Sequence, residues 1–81
     1  MSASQRLLSL KGKRLEVWVI PSGEFAVSFQ DCEIKQGMFL LSDFGTGKTL
    51  ESACENYLEK IMGQTLVFNA GTSRREEVRV L

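Results

Sequence analysis

The sequence contains no histidine, and this absence removes two kinds of site. Imidazole is the commonest general acid or base in enzymes and a very common metal ligand, so catalysis by histidine and histidine-bound metals are excluded. The formal net charge is zero, whereas a dedicated duplex-binding domain is expected to carry a clear positive surplus. Duplex binding is therefore disfavoured by composition as well.

Long apolar runs and cysteine are also scarce. No stretch approaches the ~20 apolar residues that a spanning helix needs. Residues 1–10 do not combine the basic end, apolar block and cleavage site of a secretory signal. We therefore expect a cytoplasmic chain that does not enter the membrane. Cys32 and Cys54 are too distant for a local metal-binding or redox pair, so both are expected to be reduced.

The 81 residues are enough for one domain, residues 1–81, with residues 1–6 frayed. The clearest secondary-structure signal is a helix over residues 49–63, where apolar residues recur at helical spacing. Thr49 is suited to cap its start, and Gly63 to end it in the left-handed conformation. Leu7, Leu8 and Leu10 form a short apolar cluster that fits either a helical turn or a strand.

Alternating apolar residues predict strands before and after this helix. Residues 15–20 and 24–30 form the arms of a hairpin whose turn contains Pro21, and residues 38–42 form a third strand. Residues 31–37 and 43–48 are predicted to be turn and loop. Strands are expected again at 65–68 and, as a fifth, at 76–81. The sequence thus predicts an α+β fold: an antiparallel three-stranded sheet, a helix packed on one face, then one or two further strands.

The glycine-rich segment before the helix resembles a phosphate-binding loop in composition. Gly45, Gly47, Lys48 and Thr49 follow an apolar strand and precede a helix, but the first glycine of the phosphate-loop pattern is replaced by Ser42. One helix is also too few for a nucleotide-hydrolysing fold. The segment is interpreted as a flexible entry to the helix, with a weak anion site at the helix N-terminus as an alternative.

Charged residues offer two further hypotheses. Glu51, Glu55 and Glu59 form one helix stripe, which is interpreted as a solvated face or a docking stripe for a basic partner. Nothing in the sequence fixes the acidic loop residues around a magnesium ion, so no metal or cofactor is expected. If the two ends of the chain meet, five basic residues could contact RNA or DNA: Lys11, Lys13, Arg14, Arg74 and Arg75.

The predicted strands contain more apolar residues than one helix can cover. If the helix covers the face that contains Val17 and Val19, the opposite face is left bare unless the N-terminal leucines fold over it. A contiguous exposed apolar patch often marks a contact surface. The predicted interaction surface consists of Trp18, Ile20, Met38 and Leu40.

Residues 24–31 (EFAVSFQD) and 47–53 (GKTLESA) resemble motifs of the HicB-type antitoxin domains, across about residues 15–68. The family pattern has proline where this chain has Gln30. The resemblance implies a partial ribonuclease H-like fold without catalytic acids, and a non-catalytic module that associates with itself and with another protein. The compact chain would also suit a phage-encoded accessory protein. Residues 8–17 bear a second resemblance, to Sm-like small barrels, into which the long helix fits poorly.

The sequence therefore predicts a non-enzymatic protein-interaction module that forms dimers or larger homo-oligomers and binds another protein. Nucleic-acid binding through the basic terminal segments is the alternative.

Overall fold

The computed structural model describes residues 1–81 and has the predicted α+β class, with a main helix packed on an antiparallel sheet. Two sheets are present, with strand orders β1-β2-β5 and β4-β3-β6-β7. Neither helix has the length and apolar character that a membrane-spanning helix requires. The elements are α1 (Ala3–Leu8), β1 (Leu15–Val19), β2 (Phe25–Phe29), β3 (Cys32–Gln36), β4 (Phe39–Leu41), β5 (Gly45–Gly47), α2 (Leu50–Ile61), β6 (Thr65–Phe68) and β7 (Glu76–Arg79).

The start of the main helix lies where the sequence predicts it. The Thr49 side chain accepts the N–H of Ser52, and the Ser52 hydroxyl accepts the N–H of Thr49, which completes a capping box. At the other end α2 stops at Ile61, and Gly63 follows with φ +74°. The Gly63 N–H bonds to the carbonyl of Val80 rather than to the helix, so this glycine also joins α2 to the chain end.

Three predictions about local structure are wrong. Residues 1–6 are not frayed, because Ser2 and Gln5 form a capping box that starts α1. Residues 31–37 are not all turn, because Cys32–Gln36 is a strand that buries Ile34. Residues 45–47 are not a loop, because they pair with β2 as the edge strand β5. Each of these segments lacks an apolar repeat long enough to identify it, and tertiary packing decides its conformation.

A single core joins both sheets and both helices. The apolar face of α2 contributes Tyr57 and Ile61, and residues of both sheets belong to the same buried cluster. The buried cluster contains Ala3, Leu7, Val27, Phe29, Ile34, Ala53, Cys54, Tyr57, Ile61, Leu66 and Phe68. Since Leu7 belongs to this cluster and α1 packs against α2, the N-terminal segment does not serve as a cover for the opposite face of the first sheet.

The carboxylate of Glu51 fastens α1 to α2. It accepts hydrogen bonds from the Ala3 N–H and the Ser4 hydroxyl, both at 2.7 Å. Hydrogen bonds to the ionised form, first that from Ser4, lower the pKa of Glu51 below its usual value of 4.5. One member of the predicted solvated glutamate stripe is thus an intramolecular anchor.

This lowered pKa predicts a pH-dependent attachment of α1. A group with a depressed folded-state pKa stabilises the fold above its unfolded pKa, and this contribution is lost as pH falls from about 4.5 through the lowered value. Glu51→Gln should therefore melt at a lower temperature than wild type near neutral pH, and the difference should shrink below pH 4.5. Thermal unfolding across pH measures this, with Glu55→Gln as the control. A difference that is constant with pH would contradict it.

Candidate functional site

An aromatic pair lies on the face of the first sheet that is turned away from α2. Trp18 is paired with Ala26 in β2, and Ala26 is paired with Thr46 in β5, so these three residues share one face. Ala26 is fully buried although no helix lies on this side. Trp18 packs against Phe44 with ring centroids 5.7 Å apart. The small Ala26 side chain leaves room for the pair, whose rings stay 37% and 41% exposed.

Lys60 at the end of α2 fixes the position of Phe44. Its Nζ atom donates to the carbonyl of Phe44 at 2.8 Å and to the carboxylate of Asp43 at 3.2 Å. These bonds hold the backbone of the segment before β5, and the contact with Trp18 limits rotation of the Phe44 ring. The aromatic pair is therefore partly ordered before a ligand covers it, which lowers the entropy cost of binding.

Strand β1 is more exposed than the sequence predicts. The helix was expected to cover the face that contains Val17 and Val19, but these side chains are 48% and 61% exposed. The reason is the lateral position of α2, which packs mainly on β5 and β2. Sequence periodicity shows that a face is apolar, but it does not show which strand lies under the helix.

The β3–β4 hairpin is a second exposed apolar region. Met38 lies in its turn and is 97% exposed, while Phe39 and Leu41 on β4 are 73% and 46% exposed. Leu40 is only half-buried and pairs with Lys35. Alternation along this short edge strand turns Phe39 and Leu41 to one side and Leu40 to the other.

The four residues of the predicted interaction surface thus lie on two different sheets. Trp18 and the half-buried Ile20 share a face of the β1 region, whereas Met38 and Leu40 belong to the β3–β4 hairpin. Phe44, which contacts Trp18, was not included in this predicted surface. The available signal was that Trp18 and Phe44 are the aromatic residues outside the predicted core, so both rings were candidates for exposure.

Three of the predicted nucleic-acid contacts are brought together. Lys13, Arg14 and Arg74 line one surface cavity of about 280 Å³, together with Asp31. The Lys13 ammonium is paired with Glu76 and lies 4.4 Å from the centre of the Phe68 ring. Two further basic residues lie outside this cavity: Lys11 is exposed, and Arg75 pairs with Glu77. Acidic neighbours therefore offset much of the positive charge.

The glycine-rich segment is explained by packing. A side chain on Gly45 or Gly47 would run into the backbone of α2. Lys48 is exposed, and the side chain of Thr49 is engaged in the capping box. The weak anion site at these four residues stays a prediction, but their sequence is accounted for without a ligand.

Two titratable groups with raised pKa values, Tyr57 and Cys32, lie in the core or against it. The Tyr57 hydroxyl accepts the backbone N–H of Phe29 at 3.1 Å, and burial raises the pKa of Tyr57 above its normal value. Burial also raises the pKa of the Cys32 thiol to about 11. Both groups are neutral at pH 7, and both cysteines are free thiols. No group of three or more Cys, Asp or Glu side chains is arranged to hold a metal ion.

Comparison of the chain with protein-family models, with curated proteins and with solved structures gives no match. The resemblance to HicB-type antitoxin domains therefore stays a prediction.

Proposed function

We propose that this chain is a non-catalytic protein-interaction module that associates with itself and binds another protein through exposed apolar side chains. The observation that carries the proposal is the Trp18–Phe44 pair, which Lys60 holds in place and which stays more than one-third exposed. Rigid aromatic side chains are the residues that most often dominate protein-protein interfaces. The HicB-type resemblance favours the same class of function.

The aromatic pair supplies part of the energy that specific binding needs. An aromatic side chain buries about 150–250 Å² in full, so the exposed parts of Trp18 and Phe44 together amount to roughly 150 Å². At about 25 cal/mol per Å², covering them yields about 3–4 kcal/mol before association costs. Because association itself costs about 4 kcal/mol or more, a stable complex needs contacts beyond this pair. The exposed Met38 and Phe39 side chains of the β3–β4 hairpin, on the second sheet, are a second candidate contact.

The chemistry of the remaining groups supports a binding role. The hydroxyl of Tyr57 in the core and the half-buried thiol of Cys32 beside it have strongly raised pKa values, so both are protonated at neutral pH. They are therefore poor nucleophiles or bases. The two free thiols also fit a reducing compartment such as the cytoplasm.

The cavity lined by Lys13, Arg14 and Arg74 favours nucleic-acid binding as a second candidate function. It ranks below protein binding because Asp31 shares the cavity and Glu76 neutralises Lys13. A site that tracks phosphates needs unpaired positive charge.

Capture from an extract of the native host tests the proposed function. Immobilised wild-type chain should retain a protein that co-elutes in a fixed ratio, and Trp18→Ser should weaken this binding by about 30-fold, as expected for an interface hot spot of 2 kcal/mol. Leu8→Ser is the matched control, because Leu8 is 63% exposed but lies on α1.

Thermal melting first confirms that each variant is folded. The proposal is contradicted if wild type retains no protein in a fixed ratio, or if Trp18→Ser and Met38→Ser retain the same protein as well as wild type does.

A further inference from the structure

Strand β1 has one edge with no partner. In the pairing with β2, the Ile20 N–H donates to Glu24 and the Gln30 N–H donates to the carbonyl of Arg14. Residues 14 and 20 therefore direct their backbone groups toward β2, and by antiparallel alternation so do residues 16 and 18. The N–H and C=O groups of Leu15, Val17 and Val19 consequently point away from the sheet.

The other sheet edges are protected in ways that β1 is not. Strand β5 lies beneath α2, β4 has only three residues, and β7 carries Glu76, Glu77 and Arg79 among its four. Short edges, covered edges and charged edges all resist pairing with another chain. Strand β1 has five residues, four of them apolar, and contains neither proline nor lysine.

The sequence of β1 is self-complementary in one antiparallel register. With Val17 opposite Val17 of a second copy, Leu15 lies opposite Val19, and Glu16 lies opposite Trp18. All outward N–H and C=O groups of these odd-numbered residues then find partners across the seam. If one copy is shifted by two residues, Glu16 lies opposite Glu16 of the other copy. Repulsion between the two carboxylates disfavours this register. A shift by one residue would put the apolar side chains on opposite faces of the joined sheet.

The position of α2 leaves room for this pairing. The helix packs on β2 and β5, so in a joined six-stranded sheet the two copies of α2 lie on the same side, about 20 Å apart at normal strand spacing. A helix with its side chains is about 10–12 Å wide, so the helices do not collide. The exposed Val17 and Val19 side chains of both copies then lie on the sheet surface between the two helices.

We infer that β1 is a homodimerisation edge, whose partner is β1 of a second copy in the register centred on Val17. This inference deepens the proposed function and rests on its self-association part. It accounts for the exposure of Val17 and Val19, which no part of the chain covers.

Sedimentation equilibrium of wild type and two Val17 variants tests the inference. Val17→Pro removes a donor that points to solvent in the monomer, and Val17→Lys places a charge at the seam. Wild type should be a dimer that dissociates on dilution, and each variant should raise the dimer dissociation constant about tenfold or more. Leu8→Lys, at an exposed position on α1, should leave it unchanged.

An NMR experiment on a mixture of labelled and unlabelled chains tests the register. A cross-peak between the Hα atoms of Glu16 in one copy and Trp18 in the other is expected, because these residues form a close, non-hydrogen-bonded pair. Its absence from a dimeric sample would overturn the register.

The outcomes separate this inference from the proposed function. If folded Val17→Pro and Val17→Lys dimerise as wild type does, the edge is wrong while self-association stands. A wild-type chain that is monomeric at every concentration overturns both the edge and the self-association part. Binding of another protein through the Trp18–Phe44 pair is unaffected by either result. The inference is also overturned if β1 pairs with a strand of a different protein and not with β1 of a second copy.

Discussion

Replacement of Gly45 by alanine is expected to lower the free energy of unfolding by about 3 kcal/mol or more. An added Cβ would lie 2.6 Å from the Tyr57 Cα, and closer still to the Tyr57 N and the Ala53 O. All three are backbone or Cα atoms of α2, so no side-chain rotation can relieve the contact. The helix must move away from β5, and the contacts that bury Ala53 and Tyr57 loosen with it.

This loss is large for a domain of this size. At about 0.05–0.15 kcal/mol per residue, 81 residues give a total stability of about 4–12 kcal/mol. Urea unfolding followed by the fluorescence of Trp18, the single tryptophan, measures the change. Gly12→Ala is the matched control, because Gly12 has φ +78° and open space around it. Its cost should be about 1 kcal/mol. Equal losses in the two variants would contradict the packing argument.

The sequence predicts those elements whose local signals agree with their tertiary environment. The capped start of α2 at Thr49 and the β1–β2 hairpin are recognisable because side-chain pattern, turn residues and capping residues favour the same structure. Strand β5 is different: Gly45 and Gly47 have poor strand propensity, and they form a strand because the backbone of α2 needs close approach at that place. Residue propensities therefore predict a loop at residues 45–47, whereas packing against α2 makes this segment a strand.

The candidate site was predictable only in part, for a related reason. Trp18 and Met38 are exposed, and the signal for them was an apolar face that one helix could not cover. The exposure of Val17 and Val19 depends on the lateral position of α2 over the sheet, and this position is set by the two glycines of β5. Gly45 and Gly47 thus make β5 hard to identify from the sequence and, through the position of α2, also leave β1 uncovered.

The N-terminal helix shows how much stability a six-residue element can contribute. A helix as short as α1 does not persist alone in water, because nucleation costs more than its few hydrogen bonds return. Its signal in the sequence is the capping box of Ser2 and Gln5. What holds it in place is the burial of Leu7, which is 1% exposed, and the hydrogen bonds that Ala3 and Ser4 donate to Glu51.

Leu7→Ala is therefore expected to lower the free energy of unfolding by about 2–5 kcal/mol, as large-to-small replacements of buried leucines do. Amide hydrogen exchange should show that residues 3–8 lose protection, because the remaining contacts of α1 cannot hold so short a helix. Leu8→Ala provides the control on the neighbouring, exposed position, and its effect should stay within about 0.5 kcal/mol. Since α1 packs against α2, the loss of α1 should leave dimerisation through β1 intact. A Leu7→Ala variant as stable as Leu8→Ala would mean that α1 contributes nothing to the core.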